Sequence, residues 1–316
     1  MGALLIAFRA IHFTSLIVAF GAGAFRLYAV KDCDAAIFVR LDTRLRHLLL
    51  AAAIVAILSA LLLIPLIGAR MAGSASAALD WHTISAVMLQ TSFGRVWRWH
   101  LLLAALLVVA CAVRWVRPAY RVVLSALLLA SIGWTGHAAG EHGAIGFGHE
   151  VNDSLHLLAG GLWLGGLLPL WGLVIYSLRS ENGVSVALLR DALPGFSRIG
   201  YAAVTLVALS GVLNTMLLVG SIDGLIGTPY GRLLLIKIAL FLLLVSVAVI
   251  NRLILVPWIG SEAKPSSATT ALMWTVAIEQ TLGLGIVGIV GVLGTLPPAL
   301  HMHAHWGRSV WGFAMG

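Results

Sequence analysis

Residues 134–166 read WTGHAAGEHGAIGFGHEVNDSLHLLAGGLWLGG. The stretch holds four of the eleven histidines (His137, His142, His149 and His156) with Glu141, Glu150 and Asp153, and not one Lys or Arg. Apolar runs long enough to cross a bilayer flank it on both sides. A ligand-rich segment held between two such runs decides the fold class: an all-α polytopic membrane protein that presents histidines to one side of the membrane.

The rest of the chain agrees. Of its 316 residues, 60% are hydrophobic and only 10% charged, and the mean hydropathy is +1.02. A soluble chain of this size needs far more charged surface. The net charge of +8 would suit nucleic acid, but the basic residues sit in short loops between apolar runs, where they report topology instead. The start of the chain has no basic n-region and no small-residue cleavage site, so it is expected to remain as a first membrane helix. Cys33 and Cys111 form no CxxC motif, and both fall on the side assigned below to the cytoplasm, so a disulfide is not expected. No Walker A motif, kinase motif set or DKTGT aspartate occurs; ATP hydrolysis is not expected, and no catalytic residue is assigned.

Eight spans can be drawn, at about 3–27, 47–69, 93–115, 120–139, 151–178, 198–219, 231–256 and 272–295. Residues 77–92 are too short and polar for another span and read as an interfacial helix or loop. Thirteen basic residues fall on one side: Arg26, Lys31, Arg40, Arg44, Arg46, Arg114, Arg117, Arg121, Arg179, Arg190, Arg198, Arg252 and Lys264. That side is cytoplasmic by the positive-inside rule, so both termini face the periplasm. Of the histidines only His47 then lies at the cytoplasmic face.

An internal repeat is also legible. AIHFTSLIVAFGAGAF at 10–25 matches SLHLLAGGLWLGGLLP at 154–169, aligning His12 with His156 and Gly21 with Gly165. Residues 46–63 match 197–214, aligning Ser59 with Ser210, and TSFGRVWRWH at 91–100 matches TPYGRLLLIK at 228–237, aligning His100 with Lys237. The expected organisation is two parallel four-helix repeats, 1–145 and 146–296, followed by a His/Met-containing periplasmic tail, 297–316. An even number of spans per repeat keeps both halves in the same orientation.

His149, Asp153 and His156 share a helical face if the fifth span begins early. His137 enters the same region from the end of the fourth. Imidazole suits copper, zinc and iron, and a nearby carboxylate can orient it. Helix capping by Asp153 and a backbone hydrogen bond to His156 are the alternatives. His12 lies about nine residues into the first span, roughly 13 Å down at 1.5 Å per residue, where an ionisable group defaults to a functional role. An interhelical hydrogen bond is its alternative. Arg9 is one turn above it. His100, Lys237 and Glu279 are candidates for a polar pathway, with Glu279 a possible partner of Lys237. In the tail HMHAHW, His301, Met302, His303 and His305 form a metal-capturing composition, with a solvated tail of no role as the alternative, and His142 in the outer loop is a further candidate ligand.

At TGHA (135–138), DSLHLLAGGLWLGGL (153–167), FSRIGYAAV (196–204), TPYGRLLLIKIALFLLLV (228–245), NR (251–252) and LGTLPP (293–298) the chain resembles the copper resistance protein D family of bacterial inner-membrane proteins. The resemblance implies an eight-span protein that moves copper across the inner membrane beside a separate periplasmic copper chaperone, copper resistance protein C. It implies His137, Asp153 and His156 as metal candidates, with His12 at the equivalent place in the first helix. The tail motif is not attributed to the family.

The leading expectation is an inner-membrane copper-binding or copper-transport protein taking copper ions from the periplasm through an intramembrane histidine site. Its affinity should fall below about pH 6.5, because the ligand is neutral imidazole. A membrane b-type haem protein, with bis-histidine ligation among His12, His100, His137 and His156, is the second reading. A structural protein without cofactor is the third.

Overall fold

The computed structural model describes residues 2–29, 35–135, 143–180, 183–260 and 267–300. Among these the chain runs α1 (Gly2–Tyr28), α2 (Ala35–Met71), α3 (Trp81–Gln90), α4 (Ser92–Ala112), α5 (Pro118–Ala130), α6 (Gly143–Arg179), α7 (Gly183–Leu218), α8 (Ile222–Gly227), α9 (Pro229–Ile250), α10 (Val256–Gly260) and α11 (Ser267–Leu293). Short 3-10 turns cover Ser76–Leu79 and Ser131–Thr135, and a π-helical turn, Asn251–Leu255, joins α9 to α10. No strand occurs among the described residues. Among the described residues eight helical segments are long and apolar enough to cross a membrane, α5 counting with the 3-10 turn that follows it and α9 with the π-helical turn and α10. They correspond to the eight spans expected, and residues 77–92 form the short helix α3 with its flanks.

The spans need no sequence-wide amphipathicity, because lipid accepts apolar side chains on every outward face. Leu209, Val212, Leu242, Leu253 and Trp274 accordingly stay exposed on the bundle surface. α1 and α6 are the central pair: α1 packs on α2, α5, α6 and α11, and α6 on α1, α5, α7 and α11. The two cross closely because their contact residues are glycines. A Cβ at Gly165 would meet the carbonyl oxygen of Ile17 and the Cα of Gly21, and one at Gly21 would meet Gly161 and Gly165. Small residues let membrane helices approach backbone to backbone.

Two helix starts are built alike. The Thr91 hydroxyl accepts from the Gly94 amide at 3.0 Å, and the Thr228 hydroxyl from the Gly231 amide at 3.0 Å. Each glycine is pressed by the end of the short helix before it: Gly94 by the carbonyls of Val87 and Met88, Gly231 by those of Gly224 and Leu225. The T-x-x-G-R spacing is therefore a cap plus a close approach. Thr91→Ala and Thr228→Ala are each expected to lower stability by about 1 kcal/mol, read as a drop in melting temperature of the detergent-solubilised protein. α3 is capped by Asp80, whose carboxylate accepts from the amides of His82 and Thr83. These bonds, led by that from the Thr83 hydroxyl, hold its carboxyl below the usual range.

Candidate functional site

Inside the first four spans, α1, α2 and α4 bring three polar side chains together. His12 Nδ1 lies 2.9 Å from Ser59 Oγ, and His12 Nε2 lies 3.1 Å from His100 Nε2. His100 Nδ1 in turn lies 2.7 Å from Ser131 Oγ. Both imidazoles are buried, at 1% and 0% exposure. Trp97, one turn before His100, stacks on it with ring centroids 4.7 Å apart and donates its indole N–H to the Ala60 carbonyl. That fixes the plane of the His100 ring.

The serines decide where the ring protons sit. A hydroxyl has one proton. Ser59 donates its own to the helix carbonyl of Val55 (2.6 Å), and Ser131 to that of Leu128 (2.7 Å). With the serine protons given to those carbonyls, each serine oxygen accepts from its histidine, an arrangement that assigns the proton of His12 and of His100 to Nδ1. In that assignment both Nε2 atoms carry lone pairs, and they face each other at 3.1 Å. Two acceptors at that distance repel unless a cation lies between or beside them. With imidazole–metal bonds of about 2.0–2.1 Å, as for zinc, this separation corresponds to an angle of about 100° at a shared ion. Two axial ligands on opposite faces of a haem iron need nitrogens roughly 4 Å apart by the same bond length, so this pair leaves no gap for a porphyrin.

A cavity of about 370 Å³ reaches His12 from the end of the bundle where α1 begins and α2 ends. Arg9, His12, Phe13, Arg70, Met71 and Trp97 are among its lining residues.

The second set of four spans holds a related cluster with different chemistry. His156 Nδ1 lies 2.8 Å from Ser210 Oγ, and Ser210 donates to the Leu206 carbonyl at 2.5 Å. By the same reasoning His156 presents Nε2 as a lone pair. Where the first half has His100, this half has Lys237, within electrostatic range of His156 and Asp153. Asp153 accepts from Asn214 Nδ2 at 2.6 Å, and Asn152 Nδ2 reaches Asn214 Oδ1 at 2.5 Å. His149 and Asp153 approach to 3.9 Å on one helical face, because α6 begins at Gly143, well before residue 151.

The sequence candidates thus separate. His12 and His100 meet; His149, Asp153, His156 and Lys237 gather elsewhere. Among the described residues no group of three His, Cys, Asp or Glu side chains is placed to hold a metal, so His12, Asp153 and His156 do not form one cage. Glu279 does not partner Lys237: it accepts from Asn251 Nδ2 at 2.6 Å, beside the π-helical turn. His137, His142, His301, Met302, His303 and His305 lie outside the described residues, as does Cys33; Cys111 is a buried free thiol. Ser59, Ser131, Trp97, Asn214, Arg70 and Met71 were not among the sequence candidates. The alignment of Ser59 with Ser210 is the available signal for Ser59; Ser131 has none of that kind.

Comparison with known proteins bears on the same spans. Residues 1–147 match the family described as copper resistance protein D-like, N-terminal domain, and residues 190–293 match copper resistance protein D. Copper resistance protein D of Pseudomonas syringae pv. tomato is 31% identical over 93% of this chain and 97% of its own length. Inner membrane protein YebZ of Escherichia coli is 32% identical over 93% of this chain and 98% of its own. Copper transport protein CutJ of Bacillus subtilis is 27% identical over 92% of this chain, which spans 52% of that protein. No solved structure gives a significant match.

Proposed function

The chain belongs to the copper resistance protein D family, and from that premise we propose that His12 and His100 receive a copper ion between their Nε2 atoms. The chain is a multi-pass inner-membrane protein. The observation that carries the reading is the pair of serine-held imidazoles whose Nε2 atoms face each other at 3.1 Å. Neutral imidazole accommodates copper, and a buried pair with its outer nitrogens already hydrogen-bonded is oriented before the metal arrives. Periplasmic copper enters through the cavity beside His12, and Met71 on that wall adds a thioether to the route. A separate periplasmic copper-binding protein delivers it.

The second half supports this by contrast. There the counterpart of His100 is Lys237, so an amine that is no imidazole ligand stands where the first half has its second histidine. One copper site per chain is the expectation, in the first repeat, with the two halves rearranging about the Gly21–Gly165 crossing to release the ion inward.

Metal analysis of the purified chain equilibrated with copper(I) tests the reading. About one copper per chain should be retained, as the single facing pair requires, and His156→Ala should leave that number unchanged. No retained copper, or loss of half of it in the His156 variant, rejects the assignment. Ser59→Ala and Ser131→Ala release the ring tautomers and are each expected to weaken copper binding about 10- to 100-fold, the usual effect of losing an outer-shell partner, as measured by competition with a chelator.

A further inference from the structure

The cavity in front of His12 is the wrong sign for a bare metal cation. Among the described residues it is lined by two guanidinium groups, Arg9 and Arg70, and by no Asp or Glu. The two lie within electrostatic range of each other. Arg70 is anchored by donating to the Thr295 carbonyl. Arg9 lies against Gly294, where a Cβ would collide with its guanidinium. Its Nε is buried without a hydrogen-bond partner among the described residues. A buried N–H of a charged group left unpaired is costly, and such groups in native proteins are ordinarily satisfied by something. The remaining lining is mostly apolar, including Leu5, Phe13, Leu63 and Ile67. Low-polarity walls strengthen whatever charge pairing occurs inside.

The other half shows that the positive charge is particular to this place. By the register that sets His12 on His156, Arg9 corresponds to Asp153. That carboxylate is paired with Asn214 and lies near Lys237. The second-half cluster therefore holds its own anion, whereas the described lining of the first-half cavity has two cations and no carboxylate.

We propose that this cavity binds a small anion, a halide or a compact oxyanion, between Arg9 and Arg70. The anion completes the hydrogen bonding of Arg9 and cancels the charge that would repel copper from His12 and His100. The binding needs no copper, so it is separable from the copper reading.

Trp97 on the cavity wall provides the probe. Iodide quenching is measured on the copper-free, detergent-solubilised chain at constant ionic strength, held with a bulky sugar-acid salt. The Trp97 component is the difference between the wild-type chain and Trp97→Phe. Its quenching should saturate, and chloride or phosphate should relieve it; relief by chloride marks the site as a halide site, and relief by phosphate as an oxyanion site. Arg9→Gln should weaken iodide at least about tenfold through loss of charge-assisted hydrogen bonds. Arg95→Gln, which removes an arginine outside the lining, should not. If Arg9→Gln does not fold, Arg70→Gln on the exposed rim carries the same expectation. Quenching that rises linearly without saturation, or that saturates equally in the folded arginine variant, overturns the proposal.

Discussion

His100→Ala is expected to weaken copper(I) binding by more than about 100-fold, beyond the range for an outer-shell partner, while the chain still folds. The reason is geometric. His12 keeps its bond to Ser59, but its Nε2 then faces a gap instead of a second ligand. One buried imidazole does not replace the hydration of a copper ion by itself. Folding should survive because the change removes one ring from a well-packed core and leaves Trp97 bonded to Ala60. The same substitution at His156 should hardly alter copper affinity, since that ring has Lys237 as its neighbour in place of a second imidazole. Competition with a copper(I) chelator, on variants that elute as single species, separates the two. Equal losses at both positions would contradict a site in the first half alone.

Gly165→Val is expected to remove most of the folded protein. Filling a close-packed contact ordinarily costs about 1–3 kcal/mol, but the atoms a side chain would meet here are the backbone of α1, Ile17 and Gly21. Neither can rotate away, so α1 and α6 must separate along the centre of the bundle. Gly160→Ala, on the same helix, has open space at the position of its Cβ. It should be tolerated or slightly stabilising, as alanine is the better helix former by roughly 1 kcal/mol. Monodisperse yield and melting temperature distinguish the two. A Gly165 variant with wild-type behaviour would mean that the helices do not cross where described.

The spans were legible because length and hydropathy alone define a membrane helix, whereas their ends were not. α6 begins at Gly143, inside a glycine- and histidine-rich stretch that reads as loop, and α2 begins at Ala35, within a polar segment carrying Arg40, Asp42 and Arg44. Membrane helices can run past the hydrocarbon into polar sequence without any change in their backbone bonding, so hydropathy marks the bilayer and not the helix. In the candidate site, His12 was legible from its depth. Its meeting with His100 was not, because nothing in either local sequence says that α1 and α4 face each other at that height. The serines were hidden for a similar reason: Ser59 and Ser131 look like any serine in an apolar helix until the histidine beside each is known. Glu279 was matched to Lys237 by sign of charge, yet Asn251 lies beside it at the right depth.

X-ray absorption at the copper edge of the copper(I)-loaded chain tests the central claim most directly. Two imidazole nitrogens at about 2 Å are expected, with the paired-imidazole signal lost in both His12→Ala and His100→Ala. A shell without imidazole scattering, or one unchanged when His100 is removed, would contradict the assignment.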